Sequence, residues 1–163
     1  MKTSIYAAAA LGLMAAPAFA DGHASGDAAA GEEQFARQCV ACHVVQNEDG
    51  ETLAGRNAKT GPNLYDVVGR QLGSVEGFRY GDSIVELGEM GAIWNETNMV
   101  AYLQDPTGWL REKLDNRRAR GKMAYQVRDP QEATDLFAYL ATFGDQDAQA
   151  ANLEAGLENA LNQ

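Results

Sequence analysis

The first apolar positions form an unbroken run. Residues 5–16, IYAAAALGLMAA, follow the single early cation Lys2 and lead to Ala18-Phe19-Ala20, then to polar Asp21-Gly22. A short apolar stretch with a small-x-small end is the pattern of a secretory leader cleaved after residue 20. The run falls short of the ~20 residues that span a bilayer. Beyond it the pattern turns helical. Asp27 is placed to cap a first helix reaching about Cys42, with Glu32 and Glu33 near its positive end. On that helix Phe35, Cys39, Cys42 and His43 share one face. Residues 44–63 are polar and loop-like, ending in Gly61-Pro62-Asn63. Short helices are expected at 64–69 and 82–90. Asn95 caps a helix over 96–104 that Asp105-Pro106 ends, and another is expected over 107–114. Asp129-Pro130-Gln131-Glu132 is a strong helix start, followed by a stripe of Ala133, Leu136, Phe137 and Leu140, with Gly144 as the stop. In 145–163, Leu153, Leu157 and Leu161 recur every four residues. This tail reads as a short amphipathic helix or a mobile extension, and its Ala/Asn/Gln content and terminal position favour weak order. No run alternates as a strand. The pattern predicts an all-α chain with long loops: a leader at 1–20, one domain at 21–144, and a C-terminal extension at 145–163.

Composition narrows the function classes. A chain of 163 residues is one domain with tails. Hydrophobic residues at 45% and charged residues at 22% exclude wholesale disorder and a polytopic membrane protein. A formal charge of −10 argues against nucleic acid, whose phosphates need clustered cations. The charge is uneven. Residues 111–128 carry Arg111, Lys113, Arg117, Arg118, Arg120, Lys122 and Arg128 against Glu112 and Asp115, a local +5 on an acidic chain. Such a basic patch can steer docking to acidic membrane complexes.

An oxidising compartment demands an explanation for two cysteines. Cys39-Val40-Ala41-Cys42-His43 is C-x-x-C-H, the attachment pattern of c-type haem. Positions three apart on a helix face the same side, so two sulfurs reach two vinyl groups on one porphyrin edge. His43 follows at once and sets an imidazole under the iron. The competing readings are weaker. A redox C-x-x-C expects a βαβ context, a zinc site needs further Cys or His ligands, and a plain disulfide ignores His43.

A second axial ligand is then required. Met90 sits at a loop or helix end, Met99 on an apolar helical face as core filler, and Met123 in a loop outside any periodic run. Met123 is the favoured thioether. His/Met ligation raises the haem potential and suits electron transfer.

From about Gly31 to Phe143 the residues resemble class I cytochrome c, in particular its long-loop bacterial electron carriers. Gly31 and Phe35 are similar to the family's first helix, and Leu136 and Tyr139 to the last helix that crosses it. Lys59-Thr60-Gly61-Pro62-Asn63-Leu64-Tyr65 and Val67-Val68-Gly69-Arg70 are similar to the stretch after the first loop. The resemblance implies one covalent haem c on Cys39 and Cys42, with His43 and Met123 as axial iron ligands. It implies that the Pro62 carbonyl orients His43, that Arg70, Tyr80 and Trp94 lie near the haem propionates, and that Tyr102 approaches the ligand sulfur. It further implies a periplasmic monomer, not an enzyme and without catalytic residues. Such a carrier takes electrons from a quinol–cytochrome c oxidoreductase and delivers them to a haem-copper oxidase or photosynthetic reaction centre. Two features depart from the family: Asp66 stands where glycine is common, and the segment 105–122 is longer than in mitochondrial members.

Overall fold

In the computed structural model, which describes residues 24–161, helix α1 spans Ala28–Gln38. Its start is where the capping pattern puts it: the Asp27 carboxylate accepts the amides of Ala29 and Ala30 at 2.8 and 3.3 Å. Its end comes earlier than expected. The helix proper closes at Gln38, and C-x-x-C-H follows as a single hydrogen-bonded turn in which the amides of Cys42 and His43 both donate to the Cys39 carbonyl, at 3.1 and 2.9 Å. The physical reason is the next element. Val44 and Val45 are β-branched and buried, and they pull the chain into strand β1, Val44–Gln46, paired antiparallel with β2, Thr52–Gly55. This hairpin corrects the expectation of a strandless chain. Its strands are three and four residues long, too short for alternation to declare itself.

The expected helix at 64–69 is absent. Asp66 and Gly69 both take positive φ, +53° and +74°, which an α-helix cannot contain. The remaining helices are α2 (Asp82–Glu89), α3 (Glu96–Gln104), α4 (Pro106–Lys113), α5 (Pro130–Leu140) and α6 (Gln146–Leu161). Asn95, Asp105 and Asp129 cap α3, α4 and α5 through their side chains, and Pro106 and Pro130 occupy first helical positions. The all-α expectation therefore holds for the frame, with one small hairpin added.

Helices α1 and α5 cross at a glycine. A Cβ on Gly31 would overlap the Asp135 carbonyl oxygen, so only glycine permits this approach. Phe35 and Tyr139 meet at the crossing with ring centroids 5.6 Å apart, and Leu136 is buried beside them. A second cluster joins α3 and α4: Trp94 stacks on Trp109 at 6.2 Å, while Tyr102 meets both rings edge-on at 5.1 and 5.7 Å.

Residues 146–161 take the helical alternative, and α6 is docked on the domain. Gln149 is 4% exposed; its side-chain amide donates to the Asp66 carboxylate at 3.0 Å and to the Phe143 carbonyl at 2.7 Å. Leu153 packs against the core, whereas Leu157 and Leu161 remain exposed. The expected leader at 1–20 lies outside the described residues. Among the described residues, no helix is long and apolar enough to cross a membrane.

Candidate functional site

The helices and loops enclose a cavity of about 940 Å³. That is at the upper end of the ~300–1,000 Å³ typical of small-molecule and cofactor sites. Each candidate site residue reaches it. Cys39, Cys42 and His43 come from the turn after α1, Pro62 and Arg70 from the loop beyond the hairpin, and Tyr80 from the approach to α2. Trp94 precedes α3, Tyr102 lies on it, and Met123 is on the loop before α5. Leu64, Val67, Ile84, Leu136 and Leu140 supply apolar wall between them.

His43 is held from two directions. Its Nδ1 lies 3.0 Å from the Pro62 carbonyl. A carbonyl only accepts, so Nδ1 carries the proton and Nε2 is left with its lone pair. The ring also lies against the backbone of Gly61, where a Cβ would fall 2.5 Å from Nδ1 and 2.7 Å from Nε2. Burial lowers the His43 pKa, and the Pro62 contact opposes this only in part. A neutral imidazole with a fixed tautomer is the form a metal takes.

The two cysteines are unbridged, Cys39 half-buried and Cys42 exposed. Burial, and then the neighbouring Cys42, push the Cys39 thiol up to about 11. A redox C-x-x-C needs the opposite, a thiol made acidic by its surroundings. Cys39 is thus not that acidic thiol, and both cysteines line the cavity where thioethers to a haem would form.

The three candidate methionines are sorted by position. Met90 caps the end of α2 and is 58% exposed, far from any ligand role. Met99 is buried on α3 and touches the cavity from within the core. Met123 sits on a loop, partly buried against the core, and lines the cavity.

At the remaining wall, the half-buried Arg70 guanidinium donates to the carbonyls of Tyr65 and Asn63, at 2.8 and 3.1 Å. Burial lowers its pKa, and Tyr80 and Asp66 partly offset this. A cation pushed toward the interior and supplied only with carbonyls is suited to an anionic group in the cavity. Tyr102 is pushed up to about 12 by burial, with Tyr80 adding to it, so its hydroxyl is a neutral donor. An apolar cavity with a cation at its wall, two sulfurs and a pinned imidazole fits haem and its propionates.

Sequence reasoning missed Gly61, Phe78 and Tyr125. Gly61 carries a signal only in hindsight, as the residue before the proline whose carbonyl holds His43. Phe78 lines the cavity and meets Tyr80 edge-on at 4.8 Å, a contact between loop residues that no periodicity announces. Tyr125, 44% exposed at the cavity, stands two residues beyond Met123 and was accessible by proximity. Lys59, Arg79, Arg120 and Lys122 are exposed and line the same cavity, so two of the seven cations of 111–128 reach its rim.

Comparison with known proteins agrees with this geometry. The cytochrome c family model matches residues 28–144. The cytochrome c2 of Rhodovulum adriaticum is 59% identical over 120 residues, covering 74% of this chain and 94% of that one. The cytochrome c-550 of Paracoccus versutus is 45% identical over 157 residues, covering 94% and 97%. Among solved structures, cytochrome c2 from Rhodobacter sphaeroides superposes with a TM-score of 0.70 at 44% identity, covering 72% of this chain and 96% of that one. The family match over most of the chain and the likeness in sequence and fold agree, and the chain belongs to the cytochrome c family, whose members carry one covalently bound haem c and transfer electrons rather than catalyse a reaction.

Proposed function

We propose that this cytochrome c is an exported periplasmic carrier, with Cys39 and Cys42 as the thioether anchors and His43 and Met123 as the axial iron ligands. The observation that carries the reading is the convergence of all four on one apolar cavity, with His43 Nδ1 committed to Pro62. The haem, when bound, supplies an iron that takes up and gives back one electron.

The chain's own residues set the conditions for that exchange. The Pro62 carbonyl and the Gly61 backbone fix the His43 ring and leave Nε2 as its ligand nitrogen. The apolar wall excludes water, so little solvent has to reorganise when charge changes. Arg70, Tyr80 and Trp94 serve the propionates, Arg70 with a positive charge and Trp94 as a largely buried donor. Tyr102 offers a neutral hydroxyl to the same cavity that Met123 lines. The exposed cations at the rim orient the cavity mouth toward acidic partners. The partners that fit are a quinol–cytochrome c oxidoreductase as donor and a haem-copper oxidase or photosynthetic reaction centre as acceptor.

The test of the ligand set is optical. The ferric protein should show the weak far-red band of a Met–Fe(III) bond. Met123→Ala should abolish the band while haem stays attached, and Met99→Leu should retain it. A band that survives Met123→Ala refutes Met123 as ligand.

A further inference from the structure

The loop that presents Met123 has almost no backbone anchorage of its own. Ala119 donates to the Asn116 carbonyl at 3.0 Å and Val127 to the Leu103 carbonyl at 2.8 Å. Among the described residues, no backbone–backbone hydrogen bond falls between those two anchors. The amides of Arg120 and Gly121 go instead to side-chain hydroxyls. The Arg120 N–H donates to Ser83 Oγ at 3.2 Å, and the Gly121 N–H donates to Thr107 Oγ1 at 3.1 Å. The Lys122 ammonium adds a third tie, to the Arg79 carbonyl at 2.9 Å. Three consecutive residues before Met123 are thus held by three different parts of the chain.

The two hydroxyls occupy equivalent stations. Ser83 is the second residue of α2, after the cap Gly81, and Thr107 the second of α4, after the cap Asp105. Neither hydroxyl is used in capping. The Asp105 carboxylate accepts the Gly108 amide at 2.9 Å, and Gly81 has no side chain to cap with. The loop also lies directly on both helix ends. A Cβ on Gly81 would stand 3.5 Å from Lys122 Cγ, and one on Gly121 would stand 3.2 Å from Pro106 Cβ.

We propose that Ser83 and Thr107 are positioning residues for Met123. Their hydroxyls clasp the 120–121 backbone between α2 and α4 and so set how readily the Met123 sulfur leaves its place in the cavity. Withdrawing Met123 moves the segment that precedes it and breaks both bonds. The released amides find water, so each bond opposes withdrawal by the modest net value of an ordinary hydrogen bond, roughly three- to tenfold in the open population. This rests on reading Met123 as the sixth ligand. It also explains how a long 105–122 segment can end in a well-placed ligand: the extra length is tied down at its last two residues before Lys122.

The experiment is an imidazole titration of the ferric holoprotein, in which imidazole takes the iron position that Met123 vacates. Thr107→Val keeps the branched shape and removes the hydroxyl; Ser83→Ala removes the hydroxyl on α2. Each should raise imidazole affinity about three- to tenfold, and Thr107→Ser, which keeps the hydroxyl, should stay within about twofold of the parent. The far-red band should persist in all three without imidazole. Unchanged affinity in both Thr107→Val and Ser83→Ala, or an equal rise in Thr107→Ser and Thr107→Val, overturns the proposal. Failure of the underlying ligand reading is seen separately, as a parent far-red band indifferent to Met123→Ala.

Discussion

Gln149→Ala tests whether the C-terminal helix is part of the domain. Gln149 is almost fully buried, and its amide bridges the Asp66 carboxylate at 3.0 Å and the Phe143 carbonyl at 2.7 Å. Its neighbours leave little slack. A Cβ on Gly69 would stand 3.0 Å from the Gln149 carbonyl, and one on Gly156 would overlap the Ile93 side chain. A bond to a charged group contributes about 1.5–3 kcal/mol and a neutral one about 0.5–1.5 kcal/mol. Asp66 is only half-buried, which puts the first bond at the low end. The substitution should then cost about 2–3 kcal/mol. For a domain of this size each kcal/mol moves the thermal midpoint by about 3–4 °C, so the expected fall is about 6–12 °C. The assay is thermal unfolding of the holoprotein followed by circular dichroism. Asp66→Asn retains an acceptor and tolerates the positive φ of that position, so it should cost less than Gln149→Ala. A fall under about 2 °C for Gln149→Ala would mean that α6 is not held through this residue, and the argument for a docked helix would fail.

Other outcomes follow from the same contacts. Gly31→Val places a branched side chain where even a Cβ overlaps the Asp135 carbonyl. Overpacking costs of about 1–3 kcal/mol should outweigh the gain in helix propensity, and denaturant unfolding should show a lower midpoint. Gly61→Ala should force the His43 ring off the Pro62 carbonyl and shift the midpoint potential measured by redox titration; an unchanged potential would show that the ring is not confined there. Reaction rates with an acidic membrane partner should fall as ionic strength rises, because the cations at the cavity rim are exposed and screened by salt. A salt-independent second-order rate in stopped-flow mixing would count against steering. A chain with Cys39→Ala and Cys42→Ala should lose its fold, since the cavity would lack the plate its apolar wall packs on; a native-like far-ultraviolet spectrum would contradict this.

Long periodic segments were legible from sequence because packing and capping agree in them. The stripe of α5 and its Asp129-Pro130 start gave that helix to within its last turn, and Asn95 and Asp105-Pro106 bounded α3. The site was legible for a different reason. C-x-x-C-H brings two cysteines and a histidine, the proposed attachment set of one cofactor, within five residues, so local spacing carries the signal. Elements decided by single backbone angles or by distant partners were not legible. Asp66 occupies a left-handed conformation that is uncommon for a non-glycine residue, and this replaced the helix expected at 64–69 with turns. Three residues of β2 pair across a loop with the three of β1 around a register shift, and two β-branched valines are too short a run to declare a strand. The order of α6 depends on a glutamine 83 residues away from the carboxylate it meets. The clasp on Arg120 and Gly121 joins residues 37 and 14 positions apart, beyond the reach of any spacing rule.

The central claim is that Cys39 and Cys42 hold the haem covalently, and peptide mass spectrometry of the purified holoprotein tests it directly. After trypsin digestion, the peptide Gln38–Arg56 should carry the added mass of one haem, and the pigment should stay with the polypeptide in acidified organic solvent. An unmodified Gln38–Arg56 peptide, with the pigment extracted into the solvent, would contradict the account.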